Sequence, residues 1–85
     1  MVANRLSKTD LLGLAAIKEG FERVAGEEFA AHATPLRLEG GVLRIGVDQP
    51  AWATQIKLNS ERLRAPLAEI GKCRIDRIEV VVRAP

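Results

Sequence analysis

The stretch Pro35-Leu36-Arg37-Leu38-Glu39-Gly40-Gly41-Val42-Leu43-Arg44-Ile45-Gly46-Val47 decides the fold. Leu36, Leu38, Leu43, Ile45 and Val47 alternate with Arg37, Glu39, Arg44 and Gly46. That period of two puts one row of side chains beneath a sheet and the other above it. Gly40-Gly41 separates the two runs, and glycines supply the positive backbone angles of a two-residue hairpin turn. The pattern predicts two antiparallel strands, Pro35 to Glu39 and Val42 to Val47. With the glycines as the loop, Glu39 pairs with Val42, Leu38 with Leu43, and Arg37 with Arg44.

Upstream, Leu14, Ile17, Phe21 and Val24 recur at spacings of three and four, which predicts a helix from Asp10 to Ala25. Ser7, Thr9 and Asp10 are its candidate N-caps. Gly26 interrupts it, and Glu27 to Ala33 reads as a second short helical piece with acidic residues at its start. Thr34-Pro35 ends that piece, because a residue before proline is pushed out of the helical region. Downstream, Pro50 suits the first position of a helix, with Asp48 or Gln49 as cap. Trp52, Ile56, Leu63, Leu67 and Ile70 fall within one arc of that helix. Asn59 lies in the same arc, either as a hydrogen-bonded amide or as a sign that the helix is rolled. Pro66 has no amide hydrogen, so a kink or split is expected near Arg64. Gly71 is expected to close the helix as a left-handed cap. Ile75, Ile78, Val80 and Val82, interleaved with Arg77, Glu79 and Arg83, read as a third strand.

The order is helix, strand, strand, one or two helices, strand. A crossover helix between strands covers one face of a small sheet and leaves the other open. The expected fold is α+β and KH-like, with the type II order α-β-β-α-α-β and a three-stranded sheet. Residues 10–83 make one domain behind an N-terminus expected to be flexible over residues 1–9.

Thirteen Lys/Arg against eleven Asp/Glu leave a net charge of +2, too small a field to identify a polyanion partner by itself. Nine of the thirteen cations are arginine, whose planar fork suits carboxylate or phosphate. A single cysteine, Cys73, makes no internal disulfide and fits a reducing cytoplasm. With one histidine, His32, beside that one cysteine, a zinc site within the chain is nearly excluded, and no cofactor is expected. No apolar run approaches the roughly 20 residues that span a bilayer. Met1 to Asp10 shows no signal-peptide pattern. No Ser, Thr or Cys has an evident base partner, and Glu27 and Glu28 are adjacent on a helix and so point apart. Catalysis on a small-molecule substrate is not expected.

The candidate site is the open face. Arg37, Arg44, Arg77 and Arg83 share its parity, tempered by Glu39 and Glu79. Such a cluster can hold a phosphate backbone, with affinity that falls as salt rises. The same arginines also have a plain role in keeping a sheet edge soluble. There is no tyrosine, and only two Phe and one Trp, so stacking platforms for bases are missing. Trp52, in the first turn of its helix, either packs on the sheet or anchors a partner protein, with Gln55 one turn further on. His32 reads as a capping or surface residue and Cys73 as a small buried hydrophobe.

Gly26-x-x-Phe29-Ala30-x-His32-x-x-Pro35, Leu38-Glu39-Gly40-Gly41-Val42-Leu43 and Ala51-Trp52-Ala53-Thr54-Gln55-Ile56 together resemble the DciA family. These are bacterial proteins that assist loading of the replicative DNA helicase. The closing Gly71 and Ile75-x-x-Ile78-x-Val80 also fit, so the resemblance covers about Phe21 to Arg83. It implies a KH-like fold, contact with the replicative helicase, binding of single- or double-stranded DNA, and no catalysis. The family's central tryptophan falls on Trp52 and its hairpin glycine on Gly41. The sequence departs from the pattern at Asn59, where a leucine is expected, and at Pro66, which interrupts a helix that is usually continuous. Arg62-Leu63-Arg64-Ala65-Pro66 stands where a KH domain has its Gly-x-x-Gly loop, so the usual KH clamp on a single strand is not implied. The leading reading is a non-catalytic DNA-binding module that assists helicase loading. The alternatives are a KH-like binder of RNA or other single strands, and a pure protein-interaction or dimerisation domain.

Overall fold

Gly40 and Gly41 take φ angles of 56° and 82°, and the chain reverses there between strands β1 (Ala33–Glu39) and β2 (Val42–Val47). The computed structural model describes residues 8–83. The three pairings expected around the turn are present: Glu39 with Val42, Leu38 with Leu43, Arg37 with Arg44. The third strand, β3 (Arg77–Val82), runs parallel to β2 on its other side, giving the order β1-β2-β3. A crossover through helices α3 (Pro50–Leu58) and α4 (Ser60–Gly71) makes that parallel return possible.

Before the hairpin come α1 (Lys8–Ala25) and α2 (Glu27–His32), divided at Gly26. Ile17 and Phe21 of α1 meet Leu38, Leu43, Ile45 and Val47 of the sheet and Ile56, Leu63 and Leu67 of the later helices in one buried cluster. Helices therefore cover one sheet face, and the opposite face is open, the α+β, KH-like layer read from the sequence. No polar or charged residue is buried among the described residues. Helices α1 and α4 meet closely at glycines: a Cβ added at Gly71 would lie 3.1 Å from the Gly13 carbonyl oxygen and 2.9 Å from the Cys73 sulfur.

Residues 1–7 of the stretch expected to be flexible lie outside the described residues, and α1 begins at Lys8. Several other expectations are corrected. The break in the crossover falls at Asn59, and Pro66 sits inside α4. Asn59 ends α3 and starts α4; its Nδ2 donates to the Gln55 carbonyl at 2.8 Å, and its Oδ1 accepts from Arg62 Nε at 3.2 Å. The Gln55 carbonyl thus accepts from both the backbone and the side-chain amide of Asn59, whose φ of −104° and ψ of 7° leave the helical range. Proline costs α4 one hydrogen bond on an exposed side, whose carbonyl water can serve. The segment Arg62 to Pro66 is thus helix, and Leu58-Asn59-Ser60 is the junction between the central helices. Lys72, with φ 50°, is the left-handed cap, and Gly71 is the last helical residue. Ile75 is buried before β3 begins.

The register of the hairpin shifts between Pro35 and Arg37, leaving Leu36 as an extra residue. Leu36, expected beneath the sheet, lies instead over Gly46 on the open face: a Cβ at Gly46 would come within 2.8 Å of Leu36 Cδ1 and 2.9 Å of Arg83 Cδ.

Candidate nucleic-acid interface

Strand parity brings Arg37, Glu39, Val42, Arg44, Arg77 and Glu79 together around one shallow bay on the open face. Arg37 and Arg44 face each other across the β1–β2 ladder, and Arg44 faces Glu79 across β2–β3. Like charges directly opposite repel, and two carboxylates relieve the strain. Arg37 Nε donates to Glu39 Oε1 at 3.1 Å, and Arg44 Nη2 to Glu79 Oε1 at 3.1 Å. Arg77 Nη2 reaches the other oxygen of Glu79 at 2.7 Å. The hydrogen bond from Arg77, then that from Arg44, holds the Glu79 carboxyl below its ordinary range. Glu39 Oε2 is buried without a hydrogen bond, so Glu39 is held from one side only.

Arg83 does not join this bay. It follows β3, its backbone amide donating to the Val47 carbonyl at 2.7 Å, and it shares a second hollow with His32, Thr34, Gly46 and Asp48. The open face thus carries three grouped arginines and a fourth at the far end. All are solvent-exposed; Glu79 cross-links Arg44 and Arg77, and Glu39 pairs with Arg37 alone. A cationic surface with its own internal counter-ions is pre-shaped. Phosphate oxygens can replace carboxylate oxygens on the same guanidinium forks without reordering the arginines.

Trp52 is half-buried, packed against the core from outside, not within it. Its indole stacks on His32 with ring centroids 4.6 Å apart and planes 11° from parallel, while Phe29 meets it edge-on at 5.5 Å. His32 is itself fixed by a 2.9 Å hydrogen bond between its Nδ1 and Asp48 Oδ2. A groove between α2 and α3 runs along this aromatic cluster, lined by Glu27, Glu28, Phe29, Trp52, Gln55 and Asn59. So Trp52 and Gln55 lie side by side on a surface groove, and that groove is not part of the arginine face. The sequence reading missed His32 and Asp48 as its supports. Cys73 is half-buried and burial pushes its thiol up, which makes it a weak nucleophile. Among the described residues no group of His, Cys, Asp and Glu could hold a metal ion, and no helix is long and apolar enough to cross a membrane.

Comparison with known proteins places this arrangement. The family described as "Dna[CI] antecedent, DciA" matches residues 2–80. The chain belongs to the DciA family. Curated relatives that match the chain carry the name UPF0232 protein. That of Mycobacterium marinum is 42% identical over 48 residues, 56% of this chain and 26% of its own length. That of Rhodococcus jostii is 39% identical over 46 residues, 54% of this chain and 24% of its own length. That of Mycobacterium tuberculosis is 40% identical over 45 residues, 53% of this chain and 24% of its own length. The matched segment spans about a quarter of each of those relatives. DciA proteins form a family of replicative-helicase loaders and accessory factors.

Proposed function

We propose that this DciA-family domain is a non-catalytic module that lays its open sheet face along the phosphate backbone of DNA while it assists loading of the replicative helicase. One observation carries the DNA reading: strand register gathers Arg37, Arg44 and Arg77 in a single bay, with Arg83 extending the same face. Contacts of this kind position a nucleic acid without reading its bases, so binding is weak, indifferent to sequence and sensitive to salt. The helicase contact is assigned to the groove beside Trp52 and Gln55, whose aromatic floor and acidic rim suit a protein segment and repel phosphate. Function of this kind belongs to the cytoplasm.

Fluorescence anisotropy with labelled single-stranded DNA, duplex DNA and RNA, titrated with salt, tests the first part. Binding should fall as salt rises and be lost in an Arg37→Ala/Arg44→Ala variant. Unchanged binding in that variant would remove the patch, and a clear preference for RNA would favour the KH-like RNA reading. Gln55→Arg should weaken capture of the purified helicase and leave DNA binding intact. No capture by the wild-type domain would leave a nucleic-acid module alone.

A further inference from the structure

The two edges of the sheet are built differently. Strand β1 is blunted twice: Pro35 has no amide hydrogen to offer, and the bulge at Leu36 breaks the spacing of its free groups. Those are the devices by which sheet edges avoid pairing with other chains. Strand β3 has neither. It reads Arg77-Ile78-Glu79-Val80-Val81-Val82, without proline, glycine or bulge, and its register with β2 is unbroken from Val42–Arg77 to Val47–Val82. None of its residues is fully buried, and Val82 is 50% exposed, whereas four of the six residues of β2 are buried.

The direction of its free groups follows from the ladder. The Arg77 amide donates to the Gly41 carbonyl at 3.2 Å, and the Arg83 amide to the Val47 carbonyl at 2.7 Å. Successive residues point their backbone groups to opposite sides of a strand, so Arg77, Glu79, Val81 and Arg83 face β2. The N–H and C=O of Ile78, Val80 and Val82 therefore point away from the sheet. Nothing pairs with them among the described residues.

We infer that β3 is a self-association edge: two copies of this chain pair β3 to β3, antiparallel, about a two-fold axis at Val80. In antiparallel pairing, outward-pointing residues must stand opposite one another. Val80 then faces Val80 of the second copy, and Ile78 faces Val82. Every free group of the edge is used, and the side chains that meet on the helix-covered face are all aliphatic. On the open face Glu79 lies opposite Val81, and Arg83, which has no ion pair inside its own chain among the described residues, stands opposite Arg77 of the second copy; Glu79 of that copy, already paired with Arg77 and diagonal to Arg83, is the counter-ion the two guanidiniums share. The edge is its own complement in hydrogen bonds and apolar side chains, as a two-fold contact requires, and each Arg77–Arg83 opposition is bridged by a Glu79 carboxylate. A second copy is therefore its occupant. The result is a continuous sheet of twice three strands with both arginine faces on the same side. The inference concerns the edge alone and stands whether or not that face binds nucleic acid.

A single strand pair buries well under about 1,000 Å², so the dimer is a weak one, to be sought between about 10 µM and 1 mM. Sedimentation equilibrium on the full chain should show the mass rising from 9.3 kDa towards twice that value with concentration. Amide exchange read by NMR should show Ile78, Val80 and Val82 gaining protection with concentration, while Glu79 and Val81 are protected throughout. Val82→Lys, at an exposed position that the monomer does not need, should raise the dissociation constant about tenfold or more without changing the circular dichroism. A mass that stays monomeric to about 1 mM overturns the inference. So does a dimer that ignores Val82→Lys, or edge amides already protected at low concentration, which would mean that another part of the chain covers them.

Discussion

Replacing Glu79 by glutamine should make this domain bind DNA more tightly, the opposite of what loss of a charged residue from a binding surface usually does. Glu79 is the one side chain tied to two arginines of the bay, Arg44 at 3.1 Å and Arg77 at 2.7 Å. On the open face four guanidiniums (Arg37, Arg44, Arg77, Arg83) stand against two carboxylates (Glu39, Glu79), a face charge of +2. If each net charge neutralises one phosphate of a single strand, log K falls with log salt at a slope of about −1.4, or about sevenfold between 50 and 200 mM. Neutralising Glu79 raises the face charge to +3, the slope to about −2.1, and the loss over the same range to about 18-fold. Glutamine keeps the shape and one acceptor oxygen, so the bay need not rearrange. Arg37→Ala/Arg44→Ala lowers the face charge to zero and should flatten the slope. The assay is anisotropy of a labelled oligonucleotide at four or more salt concentrations for all three proteins. Three parallel lines, or a Glu79→Gln protein that binds more weakly than wild type, would refute the idea that Glu79 competes with phosphate for these arginines.

The same carboxylate sets an acid limit. Because Arg77 and Arg44 hold Glu79 below its ordinary range, its ion pairs stabilise the fold above the unfolded-state value and are lost as pH falls through the lower folded value. Urea midpoints should therefore drop on acidification through and below the ordinary carboxylate range, and less so in Glu79→Gln; an equal drop in both would exclude Glu79 as the source. Trp52→Ala removes the stack on His32 and the edge contact with Phe29, but from a half-buried position. The cost should be about 2 kcal/mol, short of the 3–5 typical of a buried tryptophan, measured by urea denaturation followed by circular dichroism. Gly71→Ala sets a methyl 2.9 Å from Cys73 Sγ and 3.1 Å from the Gly13 carbonyl oxygen, and overpacking there should cost about 1–3 kcal/mol. A thermal midpoint equal to wild type would mean that α1 and α4 can part without loss.

What the sequence could and could not show turns on one residue, Leu36. From Arg37 to Arg44 the pattern is local: two glycines leave few turns open, and alternation then settles which side chains share a face. That is why the arginine bay was legible, and why Arg77 joined it once β3 was seen to return parallel. A bulge has no such local mark. Carrying the hairpin register straight through Leu36 would pair Ala33 with Asp48 and put Leu36 beneath the sheet beside Leu38. The extra residue instead sets Pro35 opposite Ile45 and Ala33 opposite Val47. One step beyond that pairing, the Asp48 amide donates to the His32 carbonyl at 3.2 Å, and their side chains meet at 2.9 Å. That contact holds the imidazole flat against Trp52, so the groove that presents Trp52 and Gln55 depends on a slip of one residue in a strand several positions away. Gly46 shows the same tertiary choice from the other side, since only a missing side chain there lets Leu36 fold over the open face beside Arg83. Asn59 outweighed Pro66 for a related reason. The break falls where a side-chain amide adds a second donor to the last turn of α3 and the backbone leaves helical angles, and a proline whose lost hydrogen bond faces water can stay within a helix. Hydrophobic period and turn chemistry are properties of neighbours in sequence, whereas bulges and competing amides are decided by what lies across the strand or along the exposed side of a helix. Leu36→Gly is therefore the substitution that separates the two sites. It should loosen the cover over Gly46 and the His32–Trp52 stack, seen as altered Trp52 fluorescence, while Arg37, Arg44 and Arg77 keep their register and their salt-dependent binding; loss of DNA binding in that variant would show the bay and the groove to be one coupled surface.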